Sequence, residues 1–376
     1  MDFELNAEQG MLRDTVRDAL TKTYDIETLR AVTDTERGWD PTVWKSLADI
    51  GILALTIDDA DGGMGAGPVE LGAVLGEIGR SLAPEPYLYG VVVPAALLAD
   101  TDESPLRTEL LEGLAGGDLL MAFANTEEND RWPSTAVTTA AAGSGDAVTL
   151  TGTKTEVLAG DSADRLIVSA RDDAGTIGLY AVEAGAAGVM RTPFRTHDRR
   201  RGAQIVLASA PATRLASGDR AGEALRRVDI LTQTALCAEA VGAMERALEL
   251  TVEYLKTRKQ FGVTLATFEA LTHRAADMYV LLELARSLSS YATGTLAEGT
   301  ADEIVASRAK LQICRSARQI GQEAIQMHGG IGMTAEYPVG HYVSRLTAIG
   351  HTLGDADAHL SRLANSITDW DMVSIG

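Results

Sequence analysis

Cysteine is almost missing from this chain of 376 residues: Cys237 and Cys314 are the only two, each in an apolar helical context. A disulfide framework therefore cannot hold the fold, and no metal-ligand spacing occurs, so no metal is expected. Long apolar runs are lacking as well; none approaches the roughly 18 residues of a membrane-crossing helix. Basic charge is short. The 33 Lys and Arg against 53 Asp and Glu leave a net charge of −20 and a pI near 4.7. No basic stripe is available to follow a phosphate backbone, which disfavours nucleic acid as a partner. The opening Met1-Asp2-Phe3-Glu4-Leu5 is acidic and lacks the charged-then-apolar order of a signal peptide. A cytoplasmic protein is the expectation.

What is present reads as a folded chain of more than one core. Hydrophobic residues at 45% argue against disorder, and the length exceeds one comfortable core. Residues 1–115 read as helices. Asn6 with Gln9 makes a capping box, and Asp40-Pro41 caps a second helix that presents Trp44, Leu47 and Ile50. Leu71, Val74, Leu75, Ile78 and Leu82 form a third apolar stripe. The pattern then changes. From 116 to 215, short β-branched or apolar runs, among them 119–124, 147–151, 165–170, 176–182 and 203–208, alternate with turns such as Gly143-Ser144-Gly145-Asp146. That spacing predicts an antiparallel β domain, with a linker at 211–222. Residues 216–376 return to long helices, expected at 223–257, 265–296, 301–328 and 336–347. The fold class is α+β.

Two motifs close helices in the last part. Arg258-Lys259-Gln260-Phe261-Gly262 follows a helix that carries Val241, Met244, Leu248 and Val252 inward, with Gly262 as a natural cap. A cation in a last turn suits the helix dipole whatever its function. A guanidinium there also matches a pyrophosphate, and Phe261 offers support to a planar ring. The second motif is Gln326-Met327-His328-Gly329-Gly330-Ile331-Gly332. It follows a helix, so it is not the dinucleotide fingerprint, which follows a strand. Its glycines let backbone amides approach a ligand, while His328 fits the role of a local hydrogen-bonder.

Taken in order with Thr334-Ala335-Glu336-Tyr337-Pro338, Phe123-Ala124-Asn125-Thr126-Glu127 and Gly152-Thr153-Lys154, these motifs resemble the acyl-CoA dehydrogenase family. The resemblance spans most of the chain and implies an N-terminal helical domain, a central β domain and a C-terminal four-helix bundle. It implies FAD shared between subunits. Arg258 and Phe261 would reach a neighbour's FAD; Gln326, Gly329 and Gly330 would hold its adenosine-diphosphate portion; Thr126 would lie near the flavin ring.

The reaction so implied removes an α-proton from an acyl-CoA thioester and passes the β-hydride to flavin, which demands a carboxylate base. At the two places where the family puts its glutamate, this chain has Leu353 and Thr232. Asp355, Asp357 and Asp229 remain nearby. Asp355 is the candidate base, although an Asp ahead of the final helix is also a favoured N-cap. His351 and His359 flank the same loop and suit packing. The family's glycine-serine-aspartate after Thr126-Glu127 is replaced by Glu128-Asn129-Asp130-Arg131-Trp132. The leading expectation is a base-lacking subunit of a heteromeric α2β2 enzyme, similar to actinobacterial paired forms that act on steroid-derived or fatty acyl groups. Electron-transferring flavoprotein is the expected acceptor. The alternatives are a self-sufficient enzyme using Asp355 and a non-catalytic structural homologue.

Overall fold

A computed structural model describes residues 5–128, 132, 136–144 and 147–367. The acidic start at residues 1–4, together with Asn129, Asp130, Arg131, Gly145 and Asp146 of the readings above, lies outside these.

Six α-helices lead the chain: α1 Ala7–Thr21, α2 Ile26–Asp34, α3 Pro41–Asp49, α4 Pro68–Ser81, α5 Val93–Ala99 and α6 Pro105–Gly116. The expected capping box forms at Asn6 and Gln9, and Asp40 caps α3 with Pro41 at its first turn. Trp44 and Leu47 are buried as expected; Ile50 lies just past the end of α3 and is exposed.

Seven strands follow among the described residues: β1 Met121–Ala124, β2 Ala140–Ser144, β3 Ala147–Leu158, β4 Arg165–Arg171, β5 Ile177–Glu183, β6 Val189–Arg195 and β7 Arg201–Ser217. The order β1-β4-β2-β3-β7-β5 closes on itself through a further β4–β5 pairing, and β6 lies on β7. Leu150, Leu166, Val168, Tyr180, Ile205 and Leu207 fill this rolled sheet as a core of its own.

Pairing is largely antiparallel, with one correction. β1 runs parallel to β4, and Ala140 meets Arg171 in the same sense. No hairpin joins β1 to β4; the excursion through β2 and β3 returns the chain in the original direction. Two strands were not expected. β2 is an Ala-Gly-Ser run without β-branched signal, and β6 has mostly exposed residues and a proline, as befits an edge strand. The expected linker shrinks to Gly218, because β7 runs to Ser217 and the next helix opens at Asp219.

That helix is α7, Asp219–Thr257. It is followed by a two-stranded hairpin, β8 Lys259–Gln260 with β9 Val263–Thr264, then α8 Glu269–Ala297, α9 Glu303–His328, α10 Val339–His351 and α11 Ala356–Asn365. α7 is the spine of the molecule and packs on α4, α8, α9 and α10. Its contact with α4 is as close as backbones allow. A Cβ on Gly242 would stand 1.9 Å from the Gly76 carbonyl oxygen, and one on Gly79 would stand 1.9 Å from that of Glu239.

A buried charge quartet ties the layers together. Arg345 of α10 donates two hydrogen bonds to Glu239 of α7 (both 2.8 Å) and one to Asp198 (2.7 Å) from the β6–β7 loop. Arg200 of the same loop adds a 2.7 Å bond to Glu239. Burial alone would raise both carboxyls; the two guanidiniums outweigh it and hold Glu239 and Asp198 below the usual carboxylate range.

Candidate functional site

The two C-terminal motifs lie side by side. The ring of Tyr254, one turn before Arg258, sits 4.6 Å from that of His328, and Tyr337 packs against both. His328 is buried. Its Nδ1 bonds the Ala324 carbonyl (2.7 Å), its Nε2 meets the Tyr337 hydroxyl (3.2 Å), and burial lowers its pKa. It is a local hydrogen-bonder that fastens the tips of α7 and α9 together.

Around this fastening the motif residues stand open. Arg258 caps α7 and is exposed, with no carboxylate partner among the described residues. The expected stop at Gly262 is instead a tight turn. Phe261 (φ +53°) and Gly262 (φ +84°) are both left-handed, the geometry of a two-residue hairpin loop between β8 and β9. Left-handed backbone costs a phenylalanine roughly 1–2 kcal/mol, and its ring is 91% exposed. Gln326, Gly329 and Gly330 are exposed as well. Cβ atoms built on the two glycines would meet nothing within 4 Å. An unpaired guanidinium, an outward aromatic ring and bare backbone fit the pyrophosphate and adenosine of a dinucleotide presented by another chain.

Thr126 stands on the sheet side, half-buried, its carbonyl accepting from the Thr155 amide at 2.8 Å. A buried network fixes its neighbours. Lys154 donates to Glu127 (2.7 Å), Ser169 (3.0 Å) and the Asn125 carbonyl (3.1 Å), while the amides of Thr138 and Thr139 also point at Glu127. Burial would raise the Glu127 carboxyl, but these donors hold it at about 2.

The loop between α10 and α11 is the third part. Leu353 (φ +53°) and Gly354 (φ +90°) turn it sharply. The ammonium of Lys310, fully buried on α9, donates to the carbonyls of Ile349 (2.7 Å) and Gly354 (3.2 Å), and His359 Nε2 bonds the Leu353 carbonyl at 3.0 Å. Asp355 is exposed and accepts the Ala358 amide at 2.9 Å as the N-cap of α11, which keeps its carboxyl below the usual range. Asp357 is exposed in the first turn, and His351 is exposed at the end of α10. Thr232 is buried and its hydroxyl donates to Val228 at 2.6 Å, within its own helix.

Trp132 and Lys310 are the residues whose part sequence reasoning missed. The indole ring lies 4.3 Å from the His359 ring, under the Arg362 guanidinium, and donates from Nε1 to Asp229 (3.2 Å). Asp229 also accepts from Gln233 at 2.9 Å, and burial raises its carboxyl. Lys310 carried a signal: it shares a helix face with Ile313, Cys314 and Ala317, where a surface lysine does not belong.

With helices on either side of a rolled sheet and these motifs at the helix tips, the chain belongs to the acyl-CoA dehydrogenase family. The family's N-terminal domain description matches residues 6–118 and its C-terminal domain description matches 231–368. The chain is similar to the acyl-CoA dehydrogenase FadE27 of Mycobacterium tuberculosis, 30% identical over 98% of this chain and 99% of that one. It is also similar to IpdE2 of Mycolicibacterium smegmatis, 31% identical over 96% and 98%. Among solved structures, the ChsE4-ChsE5 complex from Mycobacterium tuberculosis matches with a TM-score of 0.90 and 29% identity over 99% and 100% of the two chains. The Tcur3481-Tcur3483 steroid ACAD matches at 0.88 and 32%, over 96% and 98%. No helix of the described residues is long and apolar enough to cross a membrane.

Proposed function

We propose that this chain is the base-lacking subunit of a heteromeric, FAD-dependent acyl-CoA dehydrogenase that forms an α,β double bond in a steroid-derived or fatty acyl thioester. The observation that carries this reading is the contrast between its two halves. Arg258, Phe261, Gln326, Gly329 and Gly330 stand open at the surface, as a half-site offered to another chain would. Around the chain's own loop, Leu353 cannot take a proton, Thr232 is engaged inside its helix, and Asp355 serves as a cap.

When bound, FAD supplies the hydride acceptor for the substrate's β-carbon. The residues of this chain do the holding. The Arg258 guanidinium would pair with the pyrophosphate, Phe261 would support a planar ring, and Gln326 with the Gly329 and Gly330 backbone would hold the adenosine-diphosphate portion. Thr126, held by its sheet neighbours, belongs to the ring-facing side of the chain's own half-site. The partner supplies the carboxylate that takes the α-proton.

The partner in this reading is a second acyl-CoA dehydrogenase-like chain. An exposed apolar stripe along α8, of Val280, Leu284 and Tyr291, supports a protein neighbour there. Support also comes from the paired names ChsE4-ChsE5 and Tcur3481-Tcur3483 among similar structures, the latter called a steroid ACAD. The division at residues 116 and 216, a cytoplasmic location and electron-transferring flavoprotein as acceptor belong to the same reading.

Purifying the chain alone and with a co-expressed dehydrogenase-like partner, then measuring flavin content and oligomer mass, tests it. The partnered form is expected to be yellow, α2β2 and active, and the lone chain inactive. Robust turnover by the lone chain, or protein without flavin in both forms, would overturn it.

A further inference from the structure

One ring touches a near neighbour of each place where a proton acceptor would be sought. The Trp132 indole lies against the backbone of Gly354, next to Leu353: a Cβ on that glycine would stand 2.5 Å from the ring's Cε3. Through Nε1 the same ring bonds Asp229, one turn of α7 before Thr232. The indole therefore occupies the space between the Leu353–Gly354 turn and Asp229 of α7.

We propose that Trp132 is a plug that shuts acyl-CoA thioesters out of this chain's own pocket, with Asp229 as its latch. This deepens the proposed function and rests on it. The ring is held on several sides. The His359 ring lies beside it at a 41° tilt, the Arg362 guanidinium lies 5.5 Å from its centre, and the Asp229 carboxylate takes its only polar hydrogen. Nor can the floor beneath it retreat. Lys310 pins the carbonyls at both ends of the turn and His359 pins the one between, so Gly354 stays pressed to the ring. An indole buries some 150–250 Å² of surface, enough to displace the narrow pantetheine arm of a CoA ester. Gly354 is the complementary half of the device, since any side chain there would push the ring away.

The test titrates the full-length chain with octanoyl-CoA by calorimetry, comparing wild type with Trp132→Gly, Trp132→Phe and Asp229→Leu. Wild type is expected to take up no measurable thioester, and Trp132→Phe, which keeps a ring but loses the Nε1 bond to Asp229, is expected to open the pocket partway. Trp132→Gly is expected to bind up to one per chain, with a Kd at least about tenfold below the weakest binding the titration detects. Asp229→Leu, which frees the ring, should open the pocket partway; if the glycine variant does not fold, this variant carries the prediction. Wild type saturating at one thioester per chain would overturn the plug. So would opened variants that bind no better than wild type. Flavin content of the partnered enzyme should be the same in wild type and variants; a loss of flavin in wild type would instead count against the proposed function.

Discussion

The phenol ring of Tyr254 rests 4.6 Å from the imidazole of His328, and that contact, at the tips of the packed helices α7 and α9, sets two motifs some 70 residues apart into one neighbourhood. Arg258 follows the first residue by one helical turn, and Gly329 directly follows the second. A ligand that engages one motif is thereby within the company of the other.

Arg258→Ala should therefore strip flavin from the partnered enzyme without unfolding it. Losing a charge-assisted pair costs about 1.5–3 kcal/mol, or roughly 10- to 150-fold in affinity. Arg258→Lys should recover only part of this, because an ammonium lacks the planar fork. Flavin absorbance per protein after dialysis is the measurement; full retention by the alanine variant would contradict the assignment.

Asp355 should matter to the helix and not to the reaction. Asp355→Ala removes the cap of α11 and should cost about 1 kcal/mol of stability, whereas Asp355→Asn, which can still cap, should cost little. Neither should change turnover of the partnered enzyme. A steep fall in kcat for the asparagine variant, with unaltered melting, would make this carboxylate the base after all.

Gly242→Ala should damage the seam between α4 and α7. The added methyl would stand 1.9 Å from the Gly76 carbonyl, so one helix must move. Overpacking of this kind costs about 1–3 kcal/mol. The urea midpoint should fall accordingly, while Gly222→Ala, at a site with open space, should not lower it.

Acid should destabilise the protein in two stages. Burial lowers His359 to about 4 from its ordinary 6.5, so its contribution is present above pH 6.5 and fades as pH falls toward 4. Glu127 is held at about 2 against an ordinary 4.5, so its contribution is present above 4.5 and fades toward 2. Urea midpoints measured from pH 7 to 3 should decline in both windows, and Glu127→Gln should flatten the lower one. A level profile for wild type would refute both assignments.

Much of the architecture was legible because it is written in local pattern. The Asn6–Gln9 box, the Asp40-Pro41 start and the stripe from Leu71 to Leu82 each state their helix within a few residues. The strands that escaped notice are those whose composition is not β-like: Ala140–Ser144 has no branched residue, and Val189–Arg195 is an exposed edge. Arg258 and Gln326 could be singled out from their motifs, but their common neighbourhood depends on Tyr254 and His328 meeting across two helices. Trp132 was seen only as a departure from small residues. That its ring reaches Gly354, His359 and Asp229 at once is a fact of three dimensions, which no spacing encodes. The helix face of Lys310 hinted at its burial, but its partners were not legible, because the Ile349 and Gly354 carbonyls lie some 40 residues away.

The quartet of Arg345, Glu239, Arg200 and Asp198 draws its members from the rolled sheet's loop, the spine helix and α10. Separating any one of these from the others would strand an unpaired ion in a dry interior, a penalty of about 3–5 kcal/mol. Peeling the layers apart in stages is thus disfavoured, and heating should melt the three together in one cooperative step.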